Sequence, residues 1–320
     1  MNKVDTRIKI LNLLEKGDLG VTKISLKLKF SKQITHRYVK DLVADNFLLK
    51  KGNSPHTTYS LNPKYKYTRA RDDFEFAKEN LIKIFKKKYK GIKIKNHDKD
   101  NHDLDFMLKS SAVYSSNIEG VSIDLNSFMN MKDVLSKGAQ KEVSEVQDLL
   151  NAYDFAKNNK LTHGNFLKIH KLSSKHILSI SRQGKYRSEG VGVFGKEGLV
   201  YSAMEGFLVN NEMNILFSII DELLRTKMST FEIIFWASWI HLEIALIHPF
   251  LDGNGRSARL IEKWFLAEKL DKTTWFLQTE LYYFKKRDKY YSSLRKGDNY
   301  WELKMNRFES FIDILFSFIK

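Results

Sequence analysis

The stretch from Phe231 to Ile247 constrains the fold of this chain more than any other segment. It is almost wholly apolar, with Phe231, Ile234, Phe235, Trp236, Trp239, Leu242 and Leu246. It is too long for an ordinary strand and does not alternate, so it reads as a helix buried nearly all round, which the rest of the chain must wrap. Glu232, His241 and Glu243 lie within it and a polar turn follows it, which argues against a membrane span.

That turn is His248-Pro249-Phe250-Leu251-Asp252-Gly253-Asn254-Gly255-Arg256, with Arg259 three residues on. Pro249 should end the apolar helix just after His248, and Gly253 and Gly255 permit a tight return. A second helix is expected from near Asn254, capped by Asp252 or Gly253, through Leu260, Ile261, Trp264 and Phe265 to about Leu270. Its first amides point at whatever lies before them, and helix starts of this kind bind phosphates. Arg256 and Arg259 share one helix face and could hold successive phosphates with forked contacts. Asp252 suits magnesium, which takes one or two carboxylates plus substrate phosphates. His248 has the ordinary pKa of a general base, and Asn254 offers a further donor. Each residue alone could be surface decoration; the ordered set describes attack on a nucleotide phosphate.

The run resembles the Fic family signature, His-Pro-Phe-x-Asp-Gly-Asn-Gly-Arg-x-x-Arg, at every fixed position. The resemblance implies transfer of AMP from ATP, with Mg2+, to a Ser, Thr or Tyr hydroxyl of a target protein, self-modification included. His248 would be the base, Asp252 the metal ligand, and Gly253, Asn254 and Gly255 the anion cradle. Arg256 and Arg259 would hold the outer phosphates, and Phe250 would anchor the turn in the core. Catalysis would then rest on positioning and charge stabilisation.

Two further segments extend the likeness. Gly184-Lys185-Tyr186-Arg187 precedes Val191-Gly192-Val193-Phe194 and Leu199-Val200-Tyr201, two short strands about a glycine-containing turn, which resemble the Fic flap that covers the nucleotide and clamps a target backbone. The proline pair usual after the second strand is absent, and Ser202-Ala203-Met204 stands there. Helical spacing over Asp105 to Ile118 leads into Ser115-Ser116-Asn117-Ile118-Glu119-Gly120, similar to the family's inhibitory motif Ser-x-x-x-Glu-Gly. The resemblance implies that Ser115 and Glu119 restrain the enzyme, Glu119 by pairing with Arg259. Leu281 to Leu294 and Trp301 to Phe318 read as closing helices, with Tyr290 and Tyr291 either core or a wall for the nucleoside. His170 and His241 lie on apolar helical patterns and read as core histidines. His97 and His102 have no ligand-like partners, so no transition-metal site is expected.

Of the net charge of +16, nearly all is amino-terminal: residues 1–100 hold 25 Lys and Arg against 11 Asp and Glu, the remaining 220 hold 29 against 27. An acidic partner for that segment follows, most simply DNA. Its pattern is a helix over Thr6 to Leu14, a second over Val21 to Leu28, and a third capped by Ser31 and running to about Asp45 with Ile34, Tyr38, Leu42 and Val43 inward. Phe47 to Lys51, a turn at Gly52-Asn53-Ser54-Pro55 and Thr57 to Leu61 make a hairpin. This resembles a winged helix-turn-helix, in which the third helix enters the major groove, so Lys32, Gln33, Thr35 and His36 are the candidate contacts. A protein-binding winged helix remains the alternative.

The expected organisation is a winged-helix (α+β) domain over 1–66, a helical connector over 67–104 that carries Lys86-Lys87-Lys88 on an exposed face, and a Fic domain over 105–320 with its inhibitory helix near 105–120. The class is mostly α, with a small β-hairpin flap. The three prolines leave long helices uninterrupted, and the absence of cysteine excludes disulfides and fits a reducing compartment. With no signal-like start, a cytoplasmic location is expected. A homodimer, another nucleotide donor, and a transcriptional regulator whose core senses nucleotide stay open.

Overall fold

The computed structural model describes residues 3–62, 69–89, 103–130, 137–195, 198–294, 297–302 and 308–319. It is mostly helical, with two small antiparallel hairpins.

Helices α1 (Lys3–Leu14), α2 (Val21–Leu28) and α3 (Lys32–Ala44) precede the hairpin β1 (Leu48–Lys51) and β2 (Thr58–Leu61). Ser31 caps α3 by accepting the Ile34 amide at 3.2 Å. Leu19 and Tyr59 exchange backbone hydrogen bonds at 3.1 and 3.0 Å, which tie the α1–α2 connection to the hairpin. One expectation is corrected here. Thr35 is fully buried and its hydroxyl donates to the Ser31 carbonyl, whereas Ile34 is 39% exposed. The buried face of α3 is Thr35, Tyr38, Val39 and Leu42, a strict i, i+3, i+4, i+7 stripe, and Ile34 falls one position out of phase. Thr35 is thus removed as a surface contact, while Lys32, Gln33 and His36 are exposed.

The next helix packs on the central apolar helix. α4 (Ala70–Phe76) continues through a π-helical turn, Ala77–Leu81, into α5 (Ile82–Lys88). Phe74 packs on Trp236 and Trp239 at ring separations of 4.9 and 5.9 Å, and Phe85 on Phe235 at 5.8 Å. The apolar stripe is inward, so Lys86, Lys87 and Lys88 are left exposed. His97 and His102 lie outside the described residues.

The remaining helices surround one central post. They are α6 (Leu104–Ile118), α7 (Leu125–Met129), α8 (Lys137–Asn158), α9 (His163–Ser173), α10 (Gly206–Arg225), α11 (Thr230–Ile247), α12 (Asn254–Lys269), α13 (Thr279–Lys285), α14 (Arg287–Leu294) and α15 (Glu309–Ile319). Between α9 and α10 lies the second hairpin, β3 (Gly192–Gly195) and β4 (Gly198–Ser202), with a register shift between Val193 and Phe194. The post is α11: Ile234, Phe235, Trp239, Ile240 and Leu242 are fully buried, and burial of each such side chain contributes about 1.5–3 kcal/mol. Among the described residues it is the one helix long and apolar enough to cross a membrane, and it lies inside the protein. A capping box fixes its start, Ser229 and Glu232 each bonding the other's backbone amide.

The expected single helix over Leu281 to Leu294 is in fact two, broken at Lys286 (φ −114, ψ 32) without proline or glycine. Buried partners set the break: Glu280 and Tyr283 of α13 bond Lys263 and Glu262, while Tyr290 of α14 bonds His241 and Arg259. The second expected closing helix is α15, with Phe311, Leu315 and Phe316 buried.

Amino-terminal and core parts meet on α10. The Arg7 guanidinium lies 3.8 Å over the Phe207 ring, and Phe47 sets its edge against Phe207 and Trp301 at 5.6 and 6.2 Å.

Candidate active site

The site begins where α11 stops. His248 closes that helix, its amide bonded to the Ile244 carbonyl at 3.0 Å, in the left-handed region at φ 53, ψ 59. A non-glycine residue there is uncommon, and Pro249 disfavours the helical alternative. The imidazole Nδ1 lies 3.3 Å from the Ala245 carbonyl, which can only accept; Nδ1 therefore carries the hydrogen and Nε2 is left as the acceptor. Burial pushes this imidazole below its ordinary pKa and the Arg187 charge adds to that, against the Ala245 hydrogen bond and the pull of Glu119 and Asp252.

The turn is then locked from inside. Phe250 is fully buried and stacks on His170 at 3.5 Å with the rings nearly parallel. His170 Nδ1 accepts the Gly184 amide at 2.9 Å, so its Nε2 donates to the Asp252 carbonyl at 3.0 Å. Burial pushes His170 down to about 4, which keeps it neutral in that bridging role. The Asn254 side chain accepts the Phe250 amide and donates to the Phe250 carbonyl, at 2.8 and 2.9 Å. It thereby shapes its own loop, using one of the two hydrogens of its amide nitrogen. Gly253, at φ 80, makes the left-handed step into α12 that only glycine takes freely.

Along α12 the two arginines diverge. Arg259 is completely buried: its Nε donates to the Ser115 hydroxyl at 2.8 Å, Nη2 to the Ser115 carbonyl at 2.9 Å and the Glu119 carboxylate at 2.7 Å, and Nη1 to the Tyr290 hydroxyl at 3.2 Å. Burial alone would push the Glu119 carboxyl up, but the Arg259 guanidinium overrides it and holds the group below its usual value. That carboxylate sits directly against Gly255: a Cβ there would lie 3.1 Å from Glu119 Cδ and 3.0 Å from Arg259 Nη1, and would overlap Glu119 Oε1. An intramolecular anion thus fills the start of α12, a position that favours negative charge. Arg256 instead turns to α8, 3.4 Å from Glu145 and 3.7 Å from Asp252.

Glu119, Gly255, Arg259, His248, Tyr290 and Tyr291 line one cavity of about 940 Å³, ample for a nucleotide. The flap roofs it with Val193, Phe194, Val200 and Tyr201. Gly192 starts the hairpin and Val191 precedes it, its carbonyl accepting the Ala203 amide at 3.0 Å, and neither lines the cavity; Asp252, Gly253, Asn254 and Arg256 form the turn beside it. Tyr290 is buried between Arg259 and His241, whereas Tyr291 is 36% exposed and donates to the Ile118 carbonyl at 2.8 Å. Arg287 and Asp288 also line the cavity and were not foreseen. Arg287 stands three and four residues before Tyr290 and Tyr291, and Asp288 three before Tyr291, which places them on neighbouring helix positions and was the available signal. The Asp252 side chain is 53% exposed; its Oδ1 accepts the Gly253 amide of its own turn and pairs with Arg256 at 3.7 Å, and such an exposed carboxylate suits a magnesium ion held jointly with phosphates. Among the described residues no cluster of three or more His, Asp or Glu could hold a metal alone.

The family model for the Fic/DOC family matches residues 160–266. A Fic family protein from Desulfovibrio desulfuricans is similar at a TM-score of 0.55 and 22% identity, over 80% of this chain and 75% of that one. A Fic domain containing signaling protein from Bacteroides thetaiotaomicron is similar at a TM-score of 0.54 and 16% identity, over 74% of this chain and 92% of that one. At such identities the likeness concerns the fold. No curated protein sequence matches the chain. The Fic/DOC family model thus covers residues 160–266, about a third of the chain, and the turn from His248 to Arg259 lies within the matched stretch.

Proposed function

We propose that the protein transfers AMP from ATP to a Ser, Thr or Tyr hydroxyl of a target protein, itself included, and that Glu119 restrains it. The target oxygen attacks the α-phosphorus, the bond to the β-phosphate oxygen breaks, and pyrophosphate leaves. His248 Nε2 takes the hydroxyl proton. Asp252 would hold magnesium, which supplies charge neutralisation on the phosphates. Gly253 and Gly255 offer backbone approach to the phosphates, Arg259 their outer charge once Glu119 withdraws, and Tyr291 a partly exposed face for the nucleoside. The observation that carries this reading is the convergence on one cavity of a histidine with a free acceptor nitrogen, a helix start and a buried arginine. Peptide mapping by mass spectrometry, after incubation of proteins with Glu119→Gly enzyme, ATP and magnesium, tests it. An adenylyl group on a hydroxyl oxygen is expected; phosphate alone, or no adduct, refutes it.

A second reading concerns the amino-terminal part, where helices α1 to α3 and the hairpin fit a winged helix-turn-helix that binds DNA. It is favoured by the exposed Lys32, Gln33, His36, Arg37 and Lys40 on α3 and Lys50 and Lys51 on β1. The protein is expected to bind duplex DNA with an affinity that falls linearly in log–log against salt, and Lys32→Ala should reduce that slope by about 1. Electrophoretic titration at several salt concentrations measures this; no binding at low salt would favour a protein partner for the same face.

A further inference from the structure

Arg187 is 2% exposed, and among the described residues its side-chain donors go to backbone carbonyls rather than to a carboxylate. Nη1 donates to Glu189 at 2.7 Å and Nη2 to Met204 at 2.9 Å, and these two residues stand at the two feet of the β3–β4 hairpin. Nε donates to His248 at 2.7 Å and Nη2 to Ile247 at 3.1 Å, while the Arg187 amide donates to Pro249 at 3.0 Å. One residue thus bonds three consecutive carbonyls of the turn that carries the proposed base, and both ends of the flap above it. The arrangement suits only a planar fork of donors, because a lysine ammonium on a flexible stem cannot span the four carbonyls in fixed directions. The carbonyls it engages at Ile247 and His248 belong to the last turn of α11, where helix carbonyls lack partners and a cation is favourable.

We infer that Arg187 is a positioning residue: its guanidinium joins the flap and the catalytic turn into one rigid unit, so that the target strand and the His248 ring keep a fixed register. The inference rests on the transfer reading for its effect on rate, but its effect on His248 does not. Because the Arg187 guanidinium bonds the His248 carbonyl, its charge lies near the imidazole and disfavours protonation of the ring, whereas Glu119 after α6 and Asp252 from the turn favour it.

The test measures the His248 ring pKa by NMR of the full chain carrying 13C-labelled histidine, with the His248 signal assigned by its loss in His248→Asn. It also measures transfer and ATP affinity in the Glu119→Gly background. In Arg187→Gln the ring pKa is expected to rise, transfer turnover to fall by at least 30-fold, and ATP affinity to change by less than about threefold, following the cost of a small misplacement at a reacting centre. In Arg187→Lys, which keeps the charge and loses the fork, turnover should fall similarly with the ring pKa nearly unmoved. An unchanged ring pKa in Arg187→Gln, or turnover retained in Arg187→Lys, overturns the inference. Should Arg187→Gln fail to fold, the Arg187→Lys rate decides alone. A Glu119→Gly parent that transfers nothing refutes the transfer reading, and the ring pKa then decides the role of Arg187 separately.

Discussion

Replacing Glu119 by glycine is expected to raise nucleotide transfer by roughly 10- to 100-fold. The carboxylate makes a 2.7 Å charge-assisted bond to Arg259 and lies on Gly255, so it competes for the same donors as a terminal phosphate. Hydrogen bonds to charged groups contribute about 1.5–3 kcal/mol, and each 1.4 kcal/mol is a factor of ten, which sets that range. The protein should tolerate the change, because Arg259 keeps the Ser115 hydroxyl, the Ser115 carbonyl and the Tyr290 hydroxyl as partners. Helix α6 should stay where it is, since Lys263 bonds Ser111 at 2.6 Å and Ser110 bonds Gln278 at 2.5 Å further along it. Relief is therefore a movement of one side chain at the end of α6. Initial rates of label incorporation from ATP, wild type against Glu119→Gly at equal protein, measure the effect; equal rates would remove the restraint from the account.

Loss of the base should be the larger effect. In the Glu119→Gly background, His248→Asn is expected to lower transfer by about 10²–10⁴-fold, the usual contribution of a positioned general base. Asparagine is the better substitution because it tolerates the left-handed backbone at φ 53, where alanine adds strain unrelated to proton transfer. ATP binding measured by calorimetry should be nearly unchanged. The pH dependence has a definite sign. Only the neutral imidazole can accept the proton, and burial lowers its pKa, so the rate should be lost on acidification below the ordinary histidine range and should be flat through neutrality. A variant retaining more than about a tenth of the parental rate would assign the proton to another group.

The central post and the turn were legible because their signals are local: an unbroken apolar run, a proline, two glycines and a capping serine fix α11, α12 and α3 almost to the residue. What escaped depends on partners far along the chain. The phase of α3 placed Thr35 inside and Ile34 outside, which the apolar count alone reverses. The break at Lys286 has no local breaker and follows from where Tyr283 and Tyr290 find Glu262, His241 and Arg259. Asn254 also closes its own loop through Phe250, a role that its expected part as a donor did not suggest. Arg187 stood in view within Gly184-Lys185-Tyr186-Arg187, yet its acceptors are backbone carbonyls at residues 189, 204, 247 and 248, which no side-chain pattern announces. Glu119 was found because the resemblance supplied the pairing; helical spacing by itself gives only a charged residue before a glycine.

The most direct test of the account compares two labels. Glu119→Gly enzyme is incubated with magnesium and ATP labelled either at the α-phosphate or at the γ-phosphate, and protein-bound label is counted. The α-label is expected to enter protein and the γ-label to stay out, with the α-signal lost in Glu119→Gly/His248→Asn. Entry of the γ-label in place of the α-label would make the site a phosphotransferase and contradict the proposed attack on the α-phosphorus.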